Sequence, residues 1–159
     1  MELVQAFALS AASVAAFIDV WSRRIPNWVT FGTLAAGVLI NVWLHGFGGA
    51  TTAITGAFLG LAMLLPFYAM RAIGAGDVKL LAAIGSLVGP QALISIAVYG
   101  ALAGGVMSVV ILVRRGLLAY TLGDMLRGAL PSRSGLKAPY GLAIALGVYL
   151  SLMLPGIGG

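Results

Sequence analysis

Leu80-Leu81-Ala82-Ala83-Ile84-Gly85-Ser86-Leu87-Val88-Gly89-Pro90, continuing from Gln91 through Val113, makes 34 residues without one charged side chain. Lys79 closes this stretch at one end and Arg114 at the other. A straight helix of that length would be about 50 Å long, against a hydrocarbon core of about 30 Å. If both basic ends lie on the same side of a membrane, the stretch must cross it an even number of times, and so must turn. Gly89-Pro90 is the expected turn, and Tyr99-Gly100 is the alternative. With the turn at Gly89-Pro90, the segment Val78–Val88 is a helix of only about 16 Å, half the bilayer. Its start then lies below the membrane surface, where non-helical backbone is tolerated only against protein or a wet cavity.

The rest of the chain follows the same rule. Of 159 residues, 61% are hydrophobic and 8% charged, and the mean hydropathy is +1.08. That leaves too little polar side chain to cover a water-soluble surface. The expected fold is all-α: one integral membrane domain over residues 1–159, a polytopic helix bundle of about six membrane segments. These are Leu3–Val20, Trp28–Leu44, Thr51–Met70, the short Val78–Val88, Gln91–Val113 and Ala138–Leu154. The N-terminal run has Glu2 and no basic residues before it, so it reads as a span rather than a cleaved signal. All nine basic residues fall on one side of this arrangement, which the positive-inside rule makes cytoplasmic, with both termini outside. They form no patch interleaved with aromatics, so the net charge of +5 does not indicate nucleic acid. Trp21, Trp28 and Trp43 stand near span ends as interface anchors, and His45 reads as an outer loop residue. Residues 114–137 read as a cytoplasmic interfacial helix, with Leu118, Leu122, Met125, Leu126 and Leu130 on one face. With no cysteine and one histidine, neither a disulfide framework nor a metal site is expected.

There are four acidic residues: Glu2, Asp19, Asp77 and Asp124. Asp124 reads as a surface pair with Arg127. Asp19 and Asp77 each sit at the cytoplasmic end of an apolar span, where an ionisable group is costly and usually functional. Singly, each has a structural alternative: Asp77 as a helix N-cap after Gly76, and Asp19 as the i, i+4 partner of Arg23. Jointly, two carboxylates on one membrane face point to chemistry. Gly74-Ala75-Gly76 precedes Asp77, and glycines there would let a substrate strand lie against the loop. Asn27, after Pro26, is the expected N-cap of the second span.

Asp19 followed by Arg24-Ile25-Pro26-Asn27, then Gly74-Ala75-Gly76-Asp77-Val78-Lys79 and a late Ala138-Pro139-Tyr140-Gly141, resembles the type IV prepilin peptidase family. Size and motif order are similar to the short form associated with tight-adherence (Flp) pili. The resemblance implies a multi-pass aspartic endopeptidase of the bacterial inner membrane, with Asp19 and Asp77 as its catalytic pair. Gly74, Gly76 and Lys79 are the implied substrate contacts, with no cofactor and no metal. Its substrates would be prepilins or pseudopilins, whose basic leader is cut at the cytoplasmic face while their apolar stem lies in membrane lipid. The long members of the family also carry a cysteine-rich cytoplasmic insert and methylate the new N-terminus. Without a cysteine, this chain is expected to cleave and not to methylate.

Two close carboxylates do not both ionise readily, so one can serve as acid while the other is a base. The ionised one would activate water against a peptide carbonyl, and the protonated one would donate to the carbonyl oxygen and then to the leaving amine. Lys79 also reads as a snorkelling side chain. A small proton- or cation-coupled transporter component is the alternative; it would have paired half-repeats with discontinuous helices in matching positions. A structural subunit without chemistry is the third reading.

Overall fold

In a computed structural model, residues 2–22, 25–70, 73–117, 123 and 140–154 are described. The fold is all-α. Helix α1 is Glu2–Ser22, α2 is Asn27–Ala69, α3 is Ala75–Arg114 and α4 is Tyr140–Met153. The first three are long and apolar enough to cross a membrane.

Both α2 and α3 are broken at one glycine. Gly46 takes φ 58 and ψ −135, and Gly89 takes φ 80 and ψ 174, conformations that side chains other than glycine's rarely adopt. At each break the chain folds back on itself. A side-chain carbon at Gly49 would run into the carbonyl of Asn41, and one at Gly85 would sit 2.8 Å from Leu93. In an unbroken helix those partners would be about two turns apart. Contacts along the helices agree. Lys79 meets Asn27, and Ser86 meets Leu34 and Gly37, so 27–45 runs parallel to 75–88. Gly60 meets Leu81 and Ala82 while Gly56 meets Gly85, so 47–69 runs antiparallel to the same segment.

The segment 75–88 is the centre of the bundle. Every residue from Leu80 to Leu87 is buried, which is why this stretch is apolar all round rather than on one face. Leu80, Leu81, Ile84 and Leu87 form the core with Leu93, Ile96, Ile144 and Val148. Glycines bring backbones together there: Gly56 lies against Gly85, Gly37 against Ser86, and Gly147 against the Ile96 carbonyl. The outward side is covered with Phe17, Leu39, Phe58, Leu102 and Val106, all exposed. An apolar surface of that extent suits lipid and not water.

The central segment ends inside the protein, where its last carbonyls have no turn to bond to. Asn41, buried in α2, meets that need: its amide donates to the carbonyls of Ser86 at 3.0 Å and Leu87 at 2.9 Å, and to Gly37 at 3.0 Å.

Four sequence expectations are corrected. No loop separates Leu44 from Thr51; a break at Gly46 suffices, and His45 is helical. No turn occurs at Tyr99-Gly100, which lie within continuous helix. The central helix starts at Ala75 rather than Val78, so Asp77 is inside its first turn and Gly74 is the N-cap. Asn27 is likewise inside its helix, after the N-cap Pro26. A proline at the cap fixes φ at −65, ready for a helix start, and no side-chain cap is made there. The expected interfacial helix of 114–137 lies outside the described residues from Leu118 onward, apart from Gly123, as does the Asp124–Arg127 pair.

Candidate active site

Asp19 is carried inward by the pattern of α1. Ala8, Ala12, Ala15, Ala16 and Asp19 recur at helical spacing and are all buried. Alanines keep that face thin, so α1 lies close to α4 and α3. At the C-terminal end of this stripe, the Asp19 carboxylate accepts a hydrogen bond from the backbone N–H of Gly141 at 3.0 Å. Gly141 stands in the first turn of α4, where N–H groups lack helical partners.

Asp77 is held the same way by its own helix. The Gly74 N–H donates to its carboxylate at 3.1 Å, the side-chain arm of a capping box. The structural alternative for Asp77 is thus partly realised: it caps, although from the third helical position. Asp19 and Asp77 are brought to the same end of the bundle, close enough for the charge on Asp19 to act on Asp77. Tyr140, half-buried, stands next to Gly141 at the start of α4.

Around the pair, Gly74 and Gly76 pack closely on their neighbours. Neither has positive φ. A side-chain carbon at Gly76 would meet Ile25 at 3.2 Å, and one at Gly74 would meet the Asp77 carboxylate at 3.2 Å. Small size at these positions lets Ile25, just before the start of α2, close over the start of α3. Lys79 joins that closure. Its ammonium donates to the Asn27 side chain at 3.0 Å and lies 5.5 Å from the centre of the Phe31 ring. The Arg23-Arg24 segment lies outside the described residues.

A cavity of about 700 Å³ opens at the other end of the bundle, lined by Val4, Asn41, His45, Thr52 and Leu152 among others. It has no carboxylate in its lining. The two aspartates therefore stand at the opposite end from this cavity.

Residues 6–109 match the type IV leader peptidase family, a span that includes Asp19, Gly74, Gly76, Asp77 and Lys79. The chain belongs to that family. A prepilin leader peptidase/N-methyltransferase of Pectobacterium carotovorum subsp. carotovorum is 38% identical over 117 residues, 69% of this chain and 40% of that protein. One from Burkholderia pseudomallei strain 1026b is 35% identical over 113 residues, 66% of this chain and 36% of that protein. One from Aeromonas hydrophila is 33% identical over 106 residues, 62% of this chain and 36% of that protein. The matched region thus spans well under half the length of these relatives. No solved structure matches the chain. For a type IV leader peptidase family member, the apolar helices and the lipid-suited surface make this a membrane protein.

Two residues at the site were not assigned a role from sequence. Gly141 and Tyr140 were noted only as part of a late motif, and nothing in their own spacing ties them to Asp19 or Asp77. The alanine stripe ending at Asp19 was the available signal, since it marks Asp19 as facing a closely packed neighbour.

Proposed function

We propose that this protein is a membrane aspartic endopeptidase that removes the basic leader from type IV prepilins, of the Flp type, at the cytoplasmic face of the bacterial inner membrane. One observation carries the reading: two carboxylates from different helices, 58 positions apart in sequence, stand at the same end of an apolar bundle, Asp19 buried and Asp77 half-buried. Asp19 and Asp77 are the proposed catalytic pair. One, ionised, activates a water against the scissile carbonyl, and the other, protonated, donates to the carbonyl oxygen and then to the leaving amine.

In this reading both halves of α2 and of α3 cross the membrane, giving about six crossings with both termini outside. The substrate's apolar stem lies in lipid along the bundle, which places its scissile bond at the level of the dyad. Gly74, Gly76 and Lys79 shape the approach beside Asp77. The closed packing of Gly76 on Ile25 supports a role for the glycines in forming the site as much as in contacting substrate.

The transporter alternative expects discontinuous spans in matched positions. Gly46 and Gly89 interrupt α2 and α3, but each reverses the chain instead of interrupting a crossing, which favours the peptidase. The test is incubation of purified protein in detergent with a prepilin that carries its leader, followed by mass measurement. Loss of the leader mass is expected; an intact prepilin under conditions that keep the bundle folded would refute the proposal.

A further inference from the structure

We infer that the backbone N–H of Gly141 is a positioning group for the reaction, holding one oxygen of Asp19 and presenting the other to water and substrate. The inference rests on the assignment of Asp19 and Asp77 as the catalytic pair. Its observations are separate from those that support the pair.

The Gly141 N–H belongs to the first turn of α4, so it has no intrahelical acceptor. Buried in the protein, such a donor must find a partner, and it finds the Asp19 carboxylate at 3.0 Å, across 122 positions of sequence. The contact requires glycine. A side-chain carbon at position 141 would lie 2.9 Å from the bonded oxygen of Asp19 and 3.0 Å from its Cβ. Asp19 is only 8% exposed and has little room to move aside. Any side chain at 141 therefore shifts Asp19 or pushes α1 away from α4. Further along, α4 is fixed to α3 by Gly147 against the Ile96 carbonyl, so the donor itself is anchored.

The arrangement is matched on the other carboxylate. Asp77 is held by the Gly74 N–H at 3.1 Å, through one oxygen. Each aspartate thus has one oxygen bound to a helix-start N–H and a second oxygen for proton transfer. Fixing both carboxylates in this way pre-sets the geometry on which the rate depends, and displacement of about 1 Å can cost about 100-fold.

The test compares Gly141→Ala with Gly100→Ala in purified protein, using a prepilin with its leader and stem as probe. Gly100 also lines the α3–α4 contact, where an added carbon would sit 3.3 Å from the Ala143 carbonyl, but it touches neither aspartate. Gly141→Ala is expected to lower kcat about 10- to 100-fold with KM changed less than about threefold. Gly100→Ala, at a similar loss of thermal stability, is expected to keep kcat. If Gly141→Ala keeps its kcat while Asp19→Asn is inactive, the positioning role is wrong and the dyad stands. If both are active, the dyad assignment itself fails. A kcat loss shared equally by Gly100→Ala would mark the effect as general packing and overturn the inference. Should Gly141→Ala not accumulate, the nitrogen-15 amide resonance of Gly141 in otherwise wild-type protein serves instead. It should move on Asp19→Ala and stay nearly fixed on Asp124→Ala; an unmoved resonance on Asp19→Ala contradicts the bond.

Discussion

Asn41 shows how one polar side chain lets a short helix end inside the protein. Its amide NH2 shares two hydrogens among the carbonyls of Gly37, Ser86 and Leu87, the last two at the end of the central segment. Asn41→Leu should keep the shape of α2 but leave buried carbonyls unpaired, a loss of about 1–3 kcal/mol each where no water enters. Thermal unfolding in detergent should register it as a lower midpoint, and an unchanged midpoint would show that the bonds are dispensable. Lys79 is a gentler case. Its ammonium is half-exposed, with Asn27 and Phe31 as partners, so Lys79→Met should cost little stability, about 1 kcal/mol or less. A change in KM for prepilin without a change in that midpoint would support its contact with substrate. At this scale sequence was a good guide to charge and a poor guide to contact. Asp19 and Asp77 stood out because ionisable groups are rare in apolar spans. Asn41 was no less anomalous in its span, but its partners lie some 45 positions away and no local pattern points to them.

The helices were readable as apolar runs. Their breaks were less so. Gly89-Pro90 announces itself, because proline cannot continue the ladder and glycine takes the left-handed backbone. Gly46 has no proline beside it, and the glycine-rich stretch from His45 to Ala50 read as a loop, although helix resumes at once. Helix starts were missed by a few residues because Gly74 and Pro26 cap through backbone geometry without donating or accepting by a side chain of their own. Gly89→Ala makes a sharp element-scale prediction. Its φ of 80 and ψ of 174 exclude a Cβ, which would also meet Thr52 at 2.8 Å. Destabilisation of about 1–3 kcal/mol is expected from the backbone alone, and more from the contact. Gly46→Ala has open space around it, so it should suffer only the backbone part. Equal unfolding midpoints for the two variants would contradict this account of the turns.

For the whole molecule, orientation and chemistry are separable. If the dyad faces the cytoplasm, Ser22→Cys should resist a membrane-impermeant thiol label added to intact cells, and His45→Cys, at the opposite end, should react. The reverse pattern would invert the topology. The absence of cysteine from the sequence motivates the expectation that the cleaved pilin leaves with a free amine; an added methyl mass in a reconstituted reaction would contradict it. What sequence could not convey was the assembly of the site from α1, α3 and α4, since the Gly141–Asp19 bond exists only once those helices pack. That packing also makes the central test clean. Asparagine caps a helix start about as well as aspartate, so Asp19→Asn and Asp77→Asn should keep the Gly141 and Gly74 N–H groups bonded and the bundle folded. Neither can exchange the catalytic proton. The measurement is prepilin cleavage by each variant and by the double variant, at matched amounts of folded membrane protein. Each single change is expected to abolish cleavage, with the double variant little worse. Substantial cleavage by either single variant would contradict the assignment of Asp19 and Asp77 as the catalytic pair.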